Sequence, residues 1–380
     1  MSVPRTGRIM VTMTSTHEAE QGHEVRAATA ADRPDLVRLY ERCFGKPDGE
    51  QVLAWRYDKS PCGQALSLVT RAGDRLVCGY ACTPRLALSR GDEASAATIG
   101  ETGDVMTDPE WRGRGLFSAL DRRAMEEARR RGWPVVLGLP NRSSERLFIE
   151  KLGWKLVGHV RSWTFVLASD EGARAERMRA GRLAAAAVPW ALWRGIVRRG
   201  RLRNRAFDRV NTLAIRRFDV AADALSKAVE PRFGLMVRRD HAWLNWRYVD
   251  APSGLFRAHG VYESSGELVG WAIVQLPRRG ERVGHVVDLV ARDDVAFAAA
   301  MDGALGHLQK AGASVARASA AVGSEWERRL VETGFRAPKR DDRKAIIAHV
   351  LDPAHPLARA SADPTTWHFT DGDRDDETVS

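Results

Sequence analysis

Thr98-Ile-Gly-Glu-Thr-Gly-Asp-Val-Met-Thr-Asp-Pro-Glu-Trp-Arg-Gly-Arg-Gly-Leu-Phe117 is the stretch on which the fold turns. Thr98 to Met106 reads as a strand that Asp108-Pro109 breaks, and a helix is expected from Phe117 to Arg131 with Leu116, Leu120, Met125 and Ala128 inward. Between them, Gly113 and Gly115 let consecutive backbone N–H groups curl around an anion, and the helix N-terminus adds its dipole. This is a phosphate cradle. No Gly-Lys-Ser/Thr follows, so it is not a Walker loop. With two glycines and no acidic partner about 20 residues on, it is a poor dinucleotide fingerprint.

Gly132-Trp133 then ends the helix, Pro134 to Leu139 reads as a short buried strand, and Pro140-Asn141 opens a second helix, Ser143 to Leu152, closed by Gly153. This succession resembles the acetyl-CoA-binding core of the GNAT superfamily of N-acyltransferases. The resemblance implies that the loop Arg112, Gly113, Arg114, Gly115, Leu116 and Phe117 binds the CoA pyrophosphate, that Asn141 and Ser144 begin a helix beside the cofactor, and that a backbone N–H within Val105, Met106 and Thr107 polarises the thioester. It also implies Glu101 as the base, eleven residues before Arg112, with Asp104 on the opposite face of the strand as the second candidate. Two positions depart from the family. Phe117 stands where Gly or Ala is usual, and Ile149 stands where a general-acid tyrosine is usual. Ser143 and Ser144 offer hydroxyls nearby but read as N-terminal capping residues.

A repeat extends the reading to the rest of the chain. Leu53-Ala-Trp-Arg-Tyr-Asp-Lys-Ser-Pro-Cys-Gly63 returns as Leu244-Asn-Trp-Arg-Tyr-Val-Asp-Ala-Pro-Ser-Gly254, each followed by a hairpin pattern, and both copies close on a Gly-aromatic pair, Gly153-Trp154 and Gly334-Phe335. The expected fold class is therefore α/β, with two GNAT-like mixed-sheet domains in tandem at residues 23–168 and 231–352. In the second copy Ala291-Arg-Asp-Asp-Val295 replaces the glycine cradle, so it is expected to be degenerate and to bind no CoA, as in tandem members such as mycothiol synthase and the Fem peptidyltransferases. Trp55 to Tyr57 and Trp246 to Tyr248 could wall a substrate, yet their presence in both copies favours a structural role.

The 380 residues carry a net charge of +10. Thirteen arginines against three acids between Glu171 and Arg217 account for that excess, in a basic helical connector expected over residues 169–230. A plain connector is the favoured reading. Peripheral membrane contact through Leu183 to Arg205 is the alternative, and nucleic acid the third. Residues 1–22 read as a disordered tail, and residues 353–380 as a C-terminal tail with a docked aromatic segment, Trp367 to Thr370, and a solvated acidic end. The four cysteines, Cys43, Cys62, Cys78 and Cys82, show no zinc spacing, and no metal is expected. No apolar run reaches membrane-spanning length and no signal peptide opens the chain, so a cytoplasmic address is expected.

The expected activity is transfer of an acetyl group from acetyl-CoA to a primary amine of a small molecule or amino sugar. The alternatives are a Fem-like transferase using aminoacyl-tRNA, or a non-catalytic CoA-binding protein that docks to membrane or nucleic acid. The acceptor, the acyl chain length and the oligomeric state are not readable from the residues.

Overall fold

The computed structural model describes residues 24–45, 49–167, 210–338 and 342–374. The first half runs β1 (Val25–Ala27), α1 (Arg33–Phe44), α2 (Glu50–Asp58), β2 (Leu66–Ala72), β3 (Arg75–Ser89), β4 (Asp92–Thr107), α3 (Leu116–Arg130), β5 (Val135–Gly138), α4 (Arg142–Lys151) and β6 (Lys155–Val166). The second runs β7 (Val210–Ile215), α5 (Val220–Val229), β8 (Leu235–Val237), α6 (His241–Leu244), β9 (Phe256–Glu263), β10 (Leu268–Gln275), β11 (Val283–Ala291), α7 (Asp294–Lys310), β12 (Val315–Ala321), α8 (Glu325–Thr333) and β13 (Lys344–Val350). After these come α9 (Pro356–Ala360) and β14 (Trp367–His368).

Twelve of the strands form one continuous mixed sheet in the order β1-β2-β3-β4-β5-β13-β6-β12-β11-β10-β9-β7, with β8 and β14 as a side branch on β3. In this order one strand of each sequence half lies among the strands of the other. Strand β13 belongs to the second copy by sequence, yet it lies antiparallel to β5, with Ile347 opposite Gly138. Strand β6 belongs to the first copy, yet it lies antiparallel to β12, with Trp163 opposite Ala318. The two exchanged strands pair with each other at the centre. Their side chains follow the exchange: Ala345, Ile347 and Leu351 pack in the first half's core with Leu120 and Phe148, while Trp163, Phe165 and Leu167 pack with Leu305 and Trp326 of the second. An apolar strand pattern specifies that both faces are covered, but not by which neighbours, so this crossing is invisible in sequence.

Part of the expected connector is also regular structure. Residues 210–215 form the edge strand β7 on β9, and Asp219 caps α5 by accepting from the Ala221 N–H. The segment from Leu183 to Arg205 lies outside the described residues. Among the described residues no helix is long and apolar enough to cross a membrane.

The repeated Trp-Arg-Tyr forms the joint between the halves. Trp55 Nε1 donates to the carbonyl of Trp246 at 2.8 Å, Trp246 Nε1 donates to the carbonyl of Trp55 at 3.1 Å, and the rings stack with centroids 5.0 Å apart. Both indoles are buried, so this reciprocal pair satisfies its polar tips while removing two of the largest apolar surfaces from water. The tyrosines behave alike: Tyr57 donates to Asp104 and Tyr248 to Asp288, each at 2.8 Å. The motif is structural in both copies.

Helix α3 buries one acid. Asp121 accepts hydrogen bonds from Tyr80 Oη at 2.8 Å and Trp154 Nε1 at 3.3 Å, and burial pushes its carboxyl up to about 6. Between the ordinary value near 4 and this one, the folded chain binds more protons than the unfolded chain, so stability falls as pH rises from about 4 to about 6. The full penalty above that window is on the order of 3 kcal/mol. Asp121→Asn is therefore expected to raise the melting temperature at pH 8 more than at pH 4.5. Equal shifts at both pH values would refute the linkage.

Candidate active site

The site grows from the end of β4. Its parallel ladder with β5 comprises only Gly100 with Val136, Glu101 with Leu137, and Thr102 with Gly138; β5 ends there while β4 runs on to Thr107. In the same place β4 slips register against β3: Gly103 faces Ala81, Met106 faces Gly79, and Asp104-Val105 together oppose Tyr80. Asp104 takes a left-handed φ of 47° in this bulge. A bulge re-aims the backbone. Beyond the bulge Met106 and Thr107 resume pairing with Gly79 and Cys78 of β3.

The cradle follows at once. Gly113 and Gly115 have φ of 77° and 76°, a region that any other residue occupies only with strain, and Gly115 is the N-cap of α3. Arg112, Gly113, Arg114 and Gly115 are exposed, and a Cβ at either glycine would meet nothing within 4 Å. The loop is thus exposed backbone at a helix N-terminus, where the N–H groups and the helix dipole favour an anion such as phosphate. Arg114 stacks on Trp111 at 4.3 Å, which holds one cation beside the loop. Phe117, the departure from the family, turns away from the loop and packs on Tyr80 and Phe148. Its bulk is absorbed by the core.

On the far side of the opening Asn141 caps α4, its side-chain oxygen accepting from the Ser143 and Ser144 N–H groups at 3.0 Å each. This corrects the reading of the two serines as caps. Both hydroxyls also donate to Asn141 Oδ1, so neither is positioned as an acid catalyst by its hydrogen bonds. Ile149 is half-buried against the core around Phe148.

The two carboxylates have different surroundings. Glu101 is buried and accepts from Arg85 Nη2 at 2.6 Å, and the Arg85 guanidinium lies over the Trp246 ring at 5.5 Å. Asp104 pairs with Arg56 and accepts from Tyr57. Glu101 lines a cavity, with Arg85, Leu137, Leu139, Trp367, Phe369 and Asp373 among its walls; Asp104 does not. Cys78 and Cys82, pushed up to about 12 by burial, are protonated at neutral pH and carry no nucleophilic role. Among the described residues no group of His, Cys, Asp and Glu could hold a metal ion.

The corresponding opening in the second half is filled by the chain itself. Ladder pairs between β11 and β12 end at His285 with Arg317. Beyond them, Asp371 Oδ2 accepts from the Ser319 N–H of β12 at 2.8 Å, and Thr370 Oγ1 donates to Asp288 of β11 at 3.0 Å. Arg239 pairs with Asp373 at 2.7 Å, and a Cβ on Gly372 would lie 2.0 Å from Tyr248 Oη. Trp367 and Phe369 are buried as expected of a docked segment, but Asp371 and Asp373 are buried with them, which corrects the expected solvated acidic end at these positions. Single carboxylates in a tail read as solvated, because their partners, Arg239 and the Ser319 amide, are distant in sequence.

The family model described as an acetyltransferase (GNAT) domain matches residues 24–157, which span the bulge, the cradle and Asn141. The match covers about a third of the chain, and over that part the chain is similar to the GNAT domain. The domain match supports a GNAT-type N-acetyltransferase. Solved structures share the fold across both halves of the chain. A GCN5-related N-acetyltransferase from Anabaena variabilis superposes with a TM-score of 0.58 at 13% identity, covering 86% of this chain and 72% of that one. A probable N-acyltransferase from Enterococcus faecalis, described as a conserved protein of unknown function, gives 0.56 at 14%, covering 87% and 73%. A GCN5-related N-acetyltransferase from Kribbella flavida gives 0.55 at 16%, covering 87% and 71%. No curated protein sequence matches the chain.

Proposed function

We propose that this protein transfers an acetyl group from acetyl-CoA to the primary amine of a small molecule, by direct attack of the amine on the thioester. One observation carries the reading: an open glycine cradle at the N-terminus of α3 follows directly on the bulge at the unpaired end of β4. The Gly113 to Leu116 backbone and Arg112 and Arg114 would hold the pyrophosphate, with Asn141 and Ser144 bordering the opening. The bulge at Val105 to Thr107 supplies the N–H that stabilises the oxyanion.

In the reaction the amine nitrogen bonds to the acyl carbon, the C–S bond breaks, and the nitrogen gives up a proton while the departing sulfur gains one. The nitrogen becomes acidic as the new bond forms, so even a carboxylate held by an arginine can receive its proton. Glu101 takes this role because it lines the cavity, whereas Asp104 is engaged by Arg56 and Tyr57. With Ile149 in place of the usual tyrosine, water protonates the thiolate. The second half binds no CoA in this reading, since its opening is filled by residues 370–374.

Thiol release measured with acetyl-CoA and a panel of amines tests the activity. Glu101→Gln is expected to lower kcat by about a hundredfold, with acetyl-CoA affinity within about twofold of wild type. An unaltered pH-rate profile would remove Glu101 from the mechanism.

A further inference from the structure

Asp104 has an unusual backbone for a strand residue. Among the described residues other than glycine only Arg90 and Asp104 have a left-handed φ, and Arg90 stands with Gly91 in the two-residue turn between β3 and β4, where such a φ is ordinary. Asp104 stands inside β4, at the bulge, two residues beyond the last parallel pair with β5. A residue persists in this region when its surroundings hold it there. Here the holder is α2. Arg56 and Tyr57, consecutive residues near its end, both donate to Asp104 Oδ2, the tyrosine at 2.8 Å, and all three side chains are less than a tenth exposed. Helix α2 is fixed in turn: Trp55 interlocks with Trp246 of the second half, and the Arg33 guanidinium lies over the Tyr57 ring at 5.9 Å. On the other flank of the bulge Met106 packs in one core with Leu36, Leu39 and Tyr57, while Val105 between them packs on the opposite core around Leu120 and Phe148.

The second half contains the same clamp without the strain. Strand β11 slips register against β10, with Ile273 opposite Asp288 and Val274 opposite Val286, and Tyr248 of the repeated motif donates to Asp288 at that slip. Asp288 has no left-handed φ, and Thr370 of the segment that fills the second opening donates to it as well. The clamp is thus common to both halves, but the left-handed residue belongs to the half that carries the glycine cradle. An amide held in one direction needs no reorganisation when charge develops on the oxygen it faces, so strain maintained at this point serves a ligand. We propose that Asp104 is a positioning residue: held by Arg56 and Tyr57, it sets the direction of the bulge N–H that polarises the thioester, and so governs the chemical step rather than the binding of acetyl-CoA. This rests on the acetyl-CoA reading of the site, and on acetyl transfer only for what the polarised carbonyl goes on to do.

The test follows two readouts on the full-length protein: kcat for thiol release, and the infrared carbonyl stretch of isotope-labelled acetyl-CoA in the bound state. An N–H aimed at the thioester oxygen polarises the C=O bond, so the wild type is expected to move the stretch to lower frequency. Asp104→Ala lacks the acceptor and resists the left-handed region. It is expected to lose that shift and to lower kcat about a hundredfold, with acetyl-CoA affinity within about twofold of wild type. Asp104→Asn is the rescue, because its amide oxygen accepts both hydrogen bonds and asparagine tolerates the left-handed φ. It is expected to keep the shift and to hold kcat within about tenfold of wild type. Should Asp104→Ala fail to fold, since it leaves Arg56 buried without its anion, Tyr57→Phe removes a single hydrogen bond and is expected to weaken the shift and lower kcat about three- to tenfold. A shift that depends on the clamp, without thiol release from any amine, would sink the acetyl-transfer reading and support this one. A bound thioester with no shift in the wild type would overturn it, as would kcat and shift unchanged in Asp104→Ala and Tyr57→Phe while only the melting temperature falls. Asp104→Asn as slow as Asp104→Ala, with its shift intact, would make Asp104 a base and overturn the positioning role.

Discussion

Gly115→Val is expected to lower the affinity for acetyl-CoA by at least about a hundredfold, equivalent to about 2.7 kcal/mol, while the chain remains folded. A Cβ there would meet no protein atom within 4 Å, so the main effect on the fold is backbone strain at a φ of 76°, about 1–3 kcal/mol. The effect on the ligand is larger, because a branched Cβ on the rim of the cradle stands where the pyrophosphate must approach the amides. Calorimetry with acetyl-CoA reads the loss, and a thermal melt confirms that the chain is folded. Near-wild-type affinity would show that the cradle is not the phosphate site. The wild-type titration carries a second reading, since a stoichiometry of two would contradict the filling of the second opening by residues 370–374.

Residues 1–167 expressed alone are expected to give no cooperative unfolding transition. That piece contains the whole family match, yet it lacks β13, whose Ala345 and Ile347 are buried in its core and whose backbone covers the open edge of β5. It also leaves β6 without either strand neighbour, β12 or β13. Removing Ile347 alone from a packed core costs about 2–5 kcal/mol, and a typical whole-domain stability is about 5–15 kcal/mol. Near-ultraviolet circular dichroism and a thermal melt report the outcome. A sharp transition in the isolated piece would mean that β6 can close the first half by itself.

What was legible in the sequence was local. The strand, cradle and helix of residues 98–131 follow from a turn-breaking Asp-Pro, two glycines and a 3.6-residue apolar stripe, each of which acts through its neighbours in the chain. The repeat was legible because Trp55 and Trp246 face each other, and one constraint imposed twice leaves a repeated word. The site's second wall was not legible. Arg85 sits in an apolar strand as a lone charge, a signal that could have been followed, but nothing local pairs it with Glu101, and Asp373 and His368 reach the same cavity from almost 300 residues away. Asp121 was passed over for the same reason, since its donors come from β3 and from Trp154. The exchange of β6 and β13 left no mark at all, because interchangeable apolar strands do not record their neighbours.

That exchange sets a schedule for the newborn chain. Strand β5 leaves the ribosome some 200 residues before β13, which at about 5–20 residues per second is a delay of about 10–40 s. Throughout it the edge of β5 presents unpaired amides and carbonyls, and the core around Ile347 has a gap. Until the last strand arrives, the catalytic half is a sticky, unfinished sheet exposed to other nascent chains, and a neighbour's β13 fits the gap as well as its own does. Slow codons late in the message would lengthen that exposure, and crowded polysomes would turn it into chains locked together in pairs.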